Sequence, residues 1–281
     1  MTIWDLKKAK INRVPGNAPL EVQIAHGSAL HLPYEIIDII IAHVAHDLNT
    51  LKACSLICRS WYIAAVPRIH HTVSFGGNRT FASVGAGFKI LSGLQELNLM
   101  PLVREVRILE GGWLDSSFGP GVFYTPKYLA HFSAFTNVHT LKIQSLDISG
   151  FLPCLRRYFE QFSTTLRSIS LEDPYFSSPR QLSCFLSFFR NLDDIDIRAY
   201  YQHDAHLPDT EPVPFYAPAL RGRLTLHSFP LAETWAHLID VGGLRFRHVN
   251  LRNSSSCIPL ILEACAETLE TLRFHMTNPS G

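Results

Sequence analysis

A six-residue frame, apolar-x-x-apolar-x-apolar, recurs along most of this chain and limits its fold more than any other feature. It appears as Val103/Val106/Ile108, Val138/Leu141/Ile143, Leu166/Ile169/Leu171, Leu192/Ile195/Ile197, Phe246/Val249/Leu251 and Leu269/Leu272/Phe274. Leu224/Leu226 is a partial copy, with Arg221 where the first apolar residue should stand. The last members fall at 108, 143, 171, 197, 226, 251 and 274, a step of roughly 25–30 residues with slack, the length of one strand-plus-helix repeat. Helical stretches are expected between most of these strands, over 80–91, 126–135, 152–162, 179–189, 230–241 and 258–266, several of them opening on Pro, which suits a first helical turn. One strand and one helix cannot bury their own apolar faces, but stacked neighbours can. The expected architecture is therefore α/β, an irregular solenoid with a parallel, curved sheet. The segments 111–125 and 199–219, rich in turn-forming residues, read as long loops.

Strand alternation fixes a second expectation. If the frame residues point inward, the residues between them point outward. That outward stripe includes Arg107, Lys142, Asp194, Asp196, Arg223, His248 and Arg273, a polar row of mixed sign that is a solvated face or a surface for a protein target. Tyr200 and Tyr201, in a loop with few other reasons to be apolar, join the candidate target-binding set, because loop aromatics serve either as rim packing or as binding anchors.

Ahead of the repeats lies a stretch with too much grease for its length. Ile36, Ile37, Ile39, Ile40, Ile41 and Val44 fall within one short helical run. At 100° per residue Ile36, Ile40 and Val44 share a face, Ile37 and Ile41 lie on its flank, and Ile39 is farther round. Such a helix is expected to be covered on one flank by its own fold and on another by a partner. Pro33 suits the helix start, Glu35 puts negative charge near the positive helix end, and Asp47 is a good N-cap for the next helix. Leu48, Leu51, Cys54 and Cys58 follow at helical spacing, Trp61 adds an aromatic anchor, and Pro67 is expected to close the segment.

These residues carry a resemblance. Leu32-Pro33-Tyr34-Glu35-Ile36, Asp47-Leu48, Leu51, Cys58-Arg59-Ser60-Trp61 and Pro67 stand in the order and at the separations of an F-box, and the run resembles the form found in fungal members. The resemblance implies a three-helix module that docks on the Skp-type adaptor of a Skp–cullin–F-box ubiquitin ligase, through Leu32, Pro33, Glu35, Ile36, Ile40, Leu51, Cys58 and Trp61. The repeats resemble the leucine-rich-repeat arm that many F-box proteins carry. They depart from it three residues after each frame, where Asn or Cys is usual and this chain has Gly111, Leu146, Pro174, Tyr200, Phe229, Ser254 and Thr277. The domains expected are a leader over 1–29, the F-box module over 30–70 and the repeat arm over 71–281.

Composition narrows the function classes. The chain has 281 residues, 47% of them hydrophobic, with 25 basic against 24 acidic side chains. No basic excess points to nucleic acid or an anionic membrane. The first residues contain no long apolar run of the kind that directs secretion. The six cysteines form no CxxC pair and read as reduced thiols of a cytoplasmic or nuclear protein. GxSxG, HExxH and P-loop patterns are absent from the sequence. His203-Asp204-Ala205-His206 sits in a Pro-rich loop with no cysteine nearby, which makes it a poor metal site. The expectation is a substrate receptor without catalysis, cofactor or metal, partnered by the adaptor, through it a cullin, and a protein target. The alternative is a leucine-rich-repeat interaction scaffold working outside any ligase.

Overall fold

A computed structural model describes residues 32–76, 81–109, 130–146, 148, 159, 162–174, 176, 179–198, 220–227, 232–241, 243–252 and 258–275. The chain divides into two compact units, Met1–His70 and His71–Gly281.

The first unit is helical. α1 (Tyr34–His43), α2 (Leu48–Cys54) and α3 (Arg59–Ile69) follow one another through short turns. Pro33 is the N-cap of α1, just ahead of the first helical residue. Asp47 caps α2: its Oδ1 accepts from the Asn49 N–H at 2.9 Å, and the Thr50 hydroxyl donates to Oδ2 at 2.6 Å. The Thr50 hydroxyl, followed by the Asn49 and Thr50 N–H groups, holds the Asp47 carboxyl below the usual carboxylate range. Two expectations are corrected. Pro67 lies inside α3 and does not end it: the helix runs two residues further, without the backbone bond that the missing Pro67 N–H would have made. Cys58 is not one helical turn on from Cys54, because the turn after α2 intervenes and Cys58 becomes the N-cap of α3. Cys54 is accordingly buried and Cys58 exposed.

The second unit is an eight-stranded parallel sheet whose spatial order, β1 to β8, is its order in sequence. The strands are β1 (Thr72–Gly76), β2 (Glu105–Leu109), β3 (Thr140–Gln144), β4 (Ser168–Glu172), β5 (Asp194–Arg198), β6 (Leu220–His227), β7 (Leu244–Arg252) and β8 (Thr271–His275). Helices α4 (Phe81–Glu96), α5 (Phe162–Thr165), α6 (Pro179–Ser187), α7 (Ala232–Val241) and α8 (Ile258–Cys265) lie between strands in the chain, with 3-10 turns at Met100–Leu102 and Ala130–Ala134. The parallel α/β architecture expected from the frame is present.

Register explains the frame. Val73, Val106, Leu141, Ile169, Ile195, Leu224, Val249 and Leu272 pair across the sheet as one row. Phe75, Ile108, Ile143, Leu171, Ile197, Leu226, Leu251 and Phe274 form the next. Both rows are buried from β1 to β7. On β8, the last strand of the sheet among the described residues, Leu272 is only partly buried and Phe274 is 48% exposed. Against the rows packs a series of phenylalanines in contact: Phe75 and Phe132 at 5.2 Å between ring centroids, Phe132 and Phe159 stacked at 5.0 Å, Phe159 and Phe162 edge-on at 4.9 Å. Aromatic pairs at such distances add about 0.5–1.5 kcal/mol each beyond the area they bury.

The partial frame at β6 has a local cause. A register shift falls between Gly222 and Arg223. Gly222 has φ +87°, and a Cβ there would stand 2.0 Å from the Asp193 carbonyl oxygen. Only glycine permits that approach, which lets the Arg223 N–H donate to the same carbonyl at 2.7 Å. The shift moves the buried position from 221 to Leu220, leaving Arg221 exposed and 3.5 Å from Asp193.

Side-chain bonds between successive repeats stand just before the strands. Asn137 Nδ2 donates to the Pro101 carbonyl at 2.9 Å, and Asn191 Nδ2 to the Thr164 carbonyl at 2.7 Å. The Thr268 hydroxyl donates to the Phe246 carbonyl at 3.2 Å. Each ties one repeat to the one before. After β3 and β4 the backbone does the work: Ser145 and Asp173 take φ +51° and +46°, and their N–H groups donate to the carbonyls of Glu172 and Arg198 on the next strand. Both residues take left-handed backbone, which Asp tolerates better than most residues.

Candidate functional site

Two surfaces carry the residues singled out from sequence. On the helical unit, α1 divides its isoleucines sharply. Ile37 and Ile41 are 3% and 0% exposed, whereas Ile36, Ile39 and Ile40 are 43%, 54% and 36% exposed. The core face is thus the one expected to be the flank, and the i, i+3, i+4 set Ile36/Ile39/Ile40 forms a separate apolar stripe. The unit's own core is small: Ile37, Ile41, Leu51, Cys54, Ala64 and Ala65, with Val44, Trp61 and Ile69 packed on it. Arg68 joins α3 to α1 by an ion pair to Asp38 at 2.8 Å and donates also to the Ala64 carbonyl. Both partners are partly exposed, so the pair contributes at most about 1 kcal/mol.

Of the adaptor-binding candidates, Leu32, Pro33, Glu35, Ile36, Ile40 and Cys58 are exposed. Leu51 is not: at 1% exposure it fills the unit's core, and its assignment to a docking surface is corrected, since a side chain held inside by α1 and α3 has no area left to give. Trp61 is half-buried on that core, an anchor for its own unit first. Sequence reasoning missed Ile39, Leu56, Ile57, Tyr62 and Ile63, all large and exposed. Leu56 and Ile57 had a legible signal: two apolar residues in the turn before an N-cap have no helix face to hide them.

On the sheet unit, Arg107, Lys142, Asp194, Asp196, Arg223, His248 and Arg273 do come together on one face, in two adjacent rows. The first runs Glu105, Thr140, Ser168, Asp194, Arg223, His248, Thr271. The second runs Arg107, Lys142, Ser170, Asp196, Thr225, Asn250, Arg273. Tyr200 and Tyr201 lie outside the described residues, as do the loops 111–125 and 199–219 and the leader.

The polar face is cross-linked unevenly. Glu105 accepts from Arg107 and pairs with Lys142 at 3.1 Å. Burial pushes its carboxyl up, but those two cations outweigh it and leave Glu105 below the usual carboxylate range. Asp196 stands 3.3 Å from His227 Nε2. Burial holds the His227 ring below the ordinary histidine value, with Arg198 and Arg252 adding to that effect against the pull of Asp196. A third row, Glu172, Arg198, His227, Arg252 and His275, extends the face and was not part of the sequence reading. Among the described residues, no group of three His, Cys, Asp or Glu side chains could hold a metal ion, and no helix is long and apolar enough to cross a membrane. The Cys265 thiol is buried and pushed up, which leaves it a poor nucleophile.

No protein-family model matches the chain, and no curated protein matches it significantly.

Proposed function

We propose that the chain is the substrate-recognition subunit of a Skp–cullin–F-box ubiquitin ligase, docking on the Skp-type adaptor through an F-box formed by α1, α2 and α3, and holding a target protein on a leucine-rich-repeat-like solenoid. One observation carries the reading: α1 exposes Ile36, Ile39 and Ile40 although its core positions, Ile37 and Ile41, are already filled. Apolar side chains clustered on one side of a short helix mark a surface that a partner covers. The sequence resemblance supplies the partner's identity. The chemistry is then proximity: the receptor holds its target beside a ubiquitin-charged enzyme, and no side chain of its own reacts.

The test is retention of purified adaptor by the full chain. Leu32→Ala with Pro33→Ala is expected to weaken the complex by about 2 kcal/mol or more, roughly thirty-fold. Both residues are exposed, so the fold is expected to survive. Adaptor bound equally by the parent and the double variant would sink the docking assignment. The alternative, an interaction scaffold outside any ligase, predicts a chain that stays soluble and monomeric when expressed without adaptor.

A further inference from the structure

The charges on the sheet's polar face are not evenly spread. Across the three paired positions of each strand, β2 to β5 carry acids and bases together: Glu105, Glu172, Asp194 and Asp196 against Arg107, Lys142 and Arg198. The next three strands differ. β6, β7 and β8 bring Arg223, Arg252 and Arg273, with His227, His248 and His275, to the same face, and no carboxylate. Arg223 and Arg273 are exposed and make no ion pair among the described residues. The whole chain is close to neutral, at +1, so this is a local separation of charge and not a general basic excess.

We propose that the face of β6 to β8 binds an acidic polypeptide segment, one rich in Asp or Glu and bordered on the β5 side by a Lys or Arg. The inference rests on the reading of the sheet as the target-binding arm and names the class of target. Two guanidinium groups without carboxylate partners among the described residues are matched by carboxylates, which they can grip with two parallel hydrogen bonds. Asp194 and Asp196 on β5 form the border. Asp194 pairs in register with Arg223, and Asp196 stands beside the basic strands. Their negative charge repels further acid and favours a cation there, so the face selects a bipolar sequence and sets its direction. A nucleic acid fits less well. The basic area spans only three strands, about 10 Å from β6 to β8 at the usual strand spacing, and none of its nine paired positions is the Phe, Tyr or Trp that stacks best on bases.

The experiment measures fluorescence anisotropy of labelled peptides with the full chain: a Glu-rich peptide ending in lysines, the same peptide without lysines, an all-Lys peptide and a single-stranded oligonucleotide. The bipolar peptide is expected to bind best, and to weaken as salt rises and the Debye length falls below about 10 Å. Arg223→Glu with Arg273→Glu is expected to lower its affinity about tenfold or more, while Arg59→Glu on the helical unit leaves it unchanged. Arg223→Gln with Arg273→Gln, which removes charge without adding any, is expected to fall between, and serves if the reversal disturbs folding by circular dichroism. Equal binding by parent and variants, binding that ignores salt, or tighter binding of the oligonucleotide would overturn the proposal. Adaptor retention by the arginine variants is expected to be unaltered, so loss of peptide binding and loss of adaptor docking are read separately.

Discussion

On α1, Ile37 and Ile41 are buried while Ile36, Ile39 and Ile40, on the same ten residues, face outward; in the sheet, every frame residue from Val106 to Leu251 is hidden. All the exposed large apolar side chains among the described residues belong to the helical unit except Leu97 and Phe274. The difference is one of geometry. A parallel strand inside a sheet has neighbours on both sides and a helical layer beneath, so each apolar row is covered by repetition. Three short helices have too little volume to enclose five isoleucines from one of them, and a module of that size is marginal on its core alone. Burial in the sheet serves the fold. Exposure in the helices is surplus to it.

The sharpest way to break this contrast is to cut into each core. Phe132→Ala removes a ring that touches Phe75, Phe135 and Phe159, and is expected to cost about 3–5 kcal/mol in chemical denaturation. A cost under about 1 kcal/mol would mean that the phenylalanines do not form a continuous core. The next test uses neighbours on α1. Ile41→Ala is expected to cost about 2–4 kcal/mol of the helical unit's stability, and Ile40→Ala less than about 0.5 kcal/mol, with adaptor binding affected in the opposite order. Similar losses for the two would erase the division between core and surface. Asn191→Ala, which deletes the bond to the Thr164 carbonyl, is expected to cost about 1 kcal/mol. The smallest effect concerns Glu105. Its carboxyl is held below the ordinary value of 4.5 by Arg107 and Lys142 against burial, so it stabilises the sheet above that pH and the contribution fades as pH falls through the folded value. Glu105→Gln is expected to flatten that part of the acid limb in urea titrations; an unchanged acid limb would remove the argument.

Much of the sheet was legible because period and register agree. A two-residue alternation inside a frame that returns about once per repeat fixes which side chains are inward, and the strands fell where the frame put them. Leu272 and Phe274 follow the same frame yet stay partly or largely exposed: the frame marks which side chains face inward, not how fully each is covered. The bonds of Asn137 and Asn191 were not legible, because a lone Asn just before an apolar frame has the look of an ordinary turn residue. Leu51 escaped for a different reason: in a module of three short helices, apolar spacing marks helix faces without saying which of them turns inward. The polar rows on the sheet were legible in position but not in grouping, since the separation of charge emerges only when Glu172, Arg198, His227, Arg252 and His275 are set in register.

The order of the strands, each beside its predecessor in the chain, has a consequence for how the molecule is made. No pairing has to wait for a distant segment, so the entropy lost in closing each loop is that of a single repeat. A growing chain can lay down one strand on the last as synthesis proceeds, with the exposed margin always the newest piece.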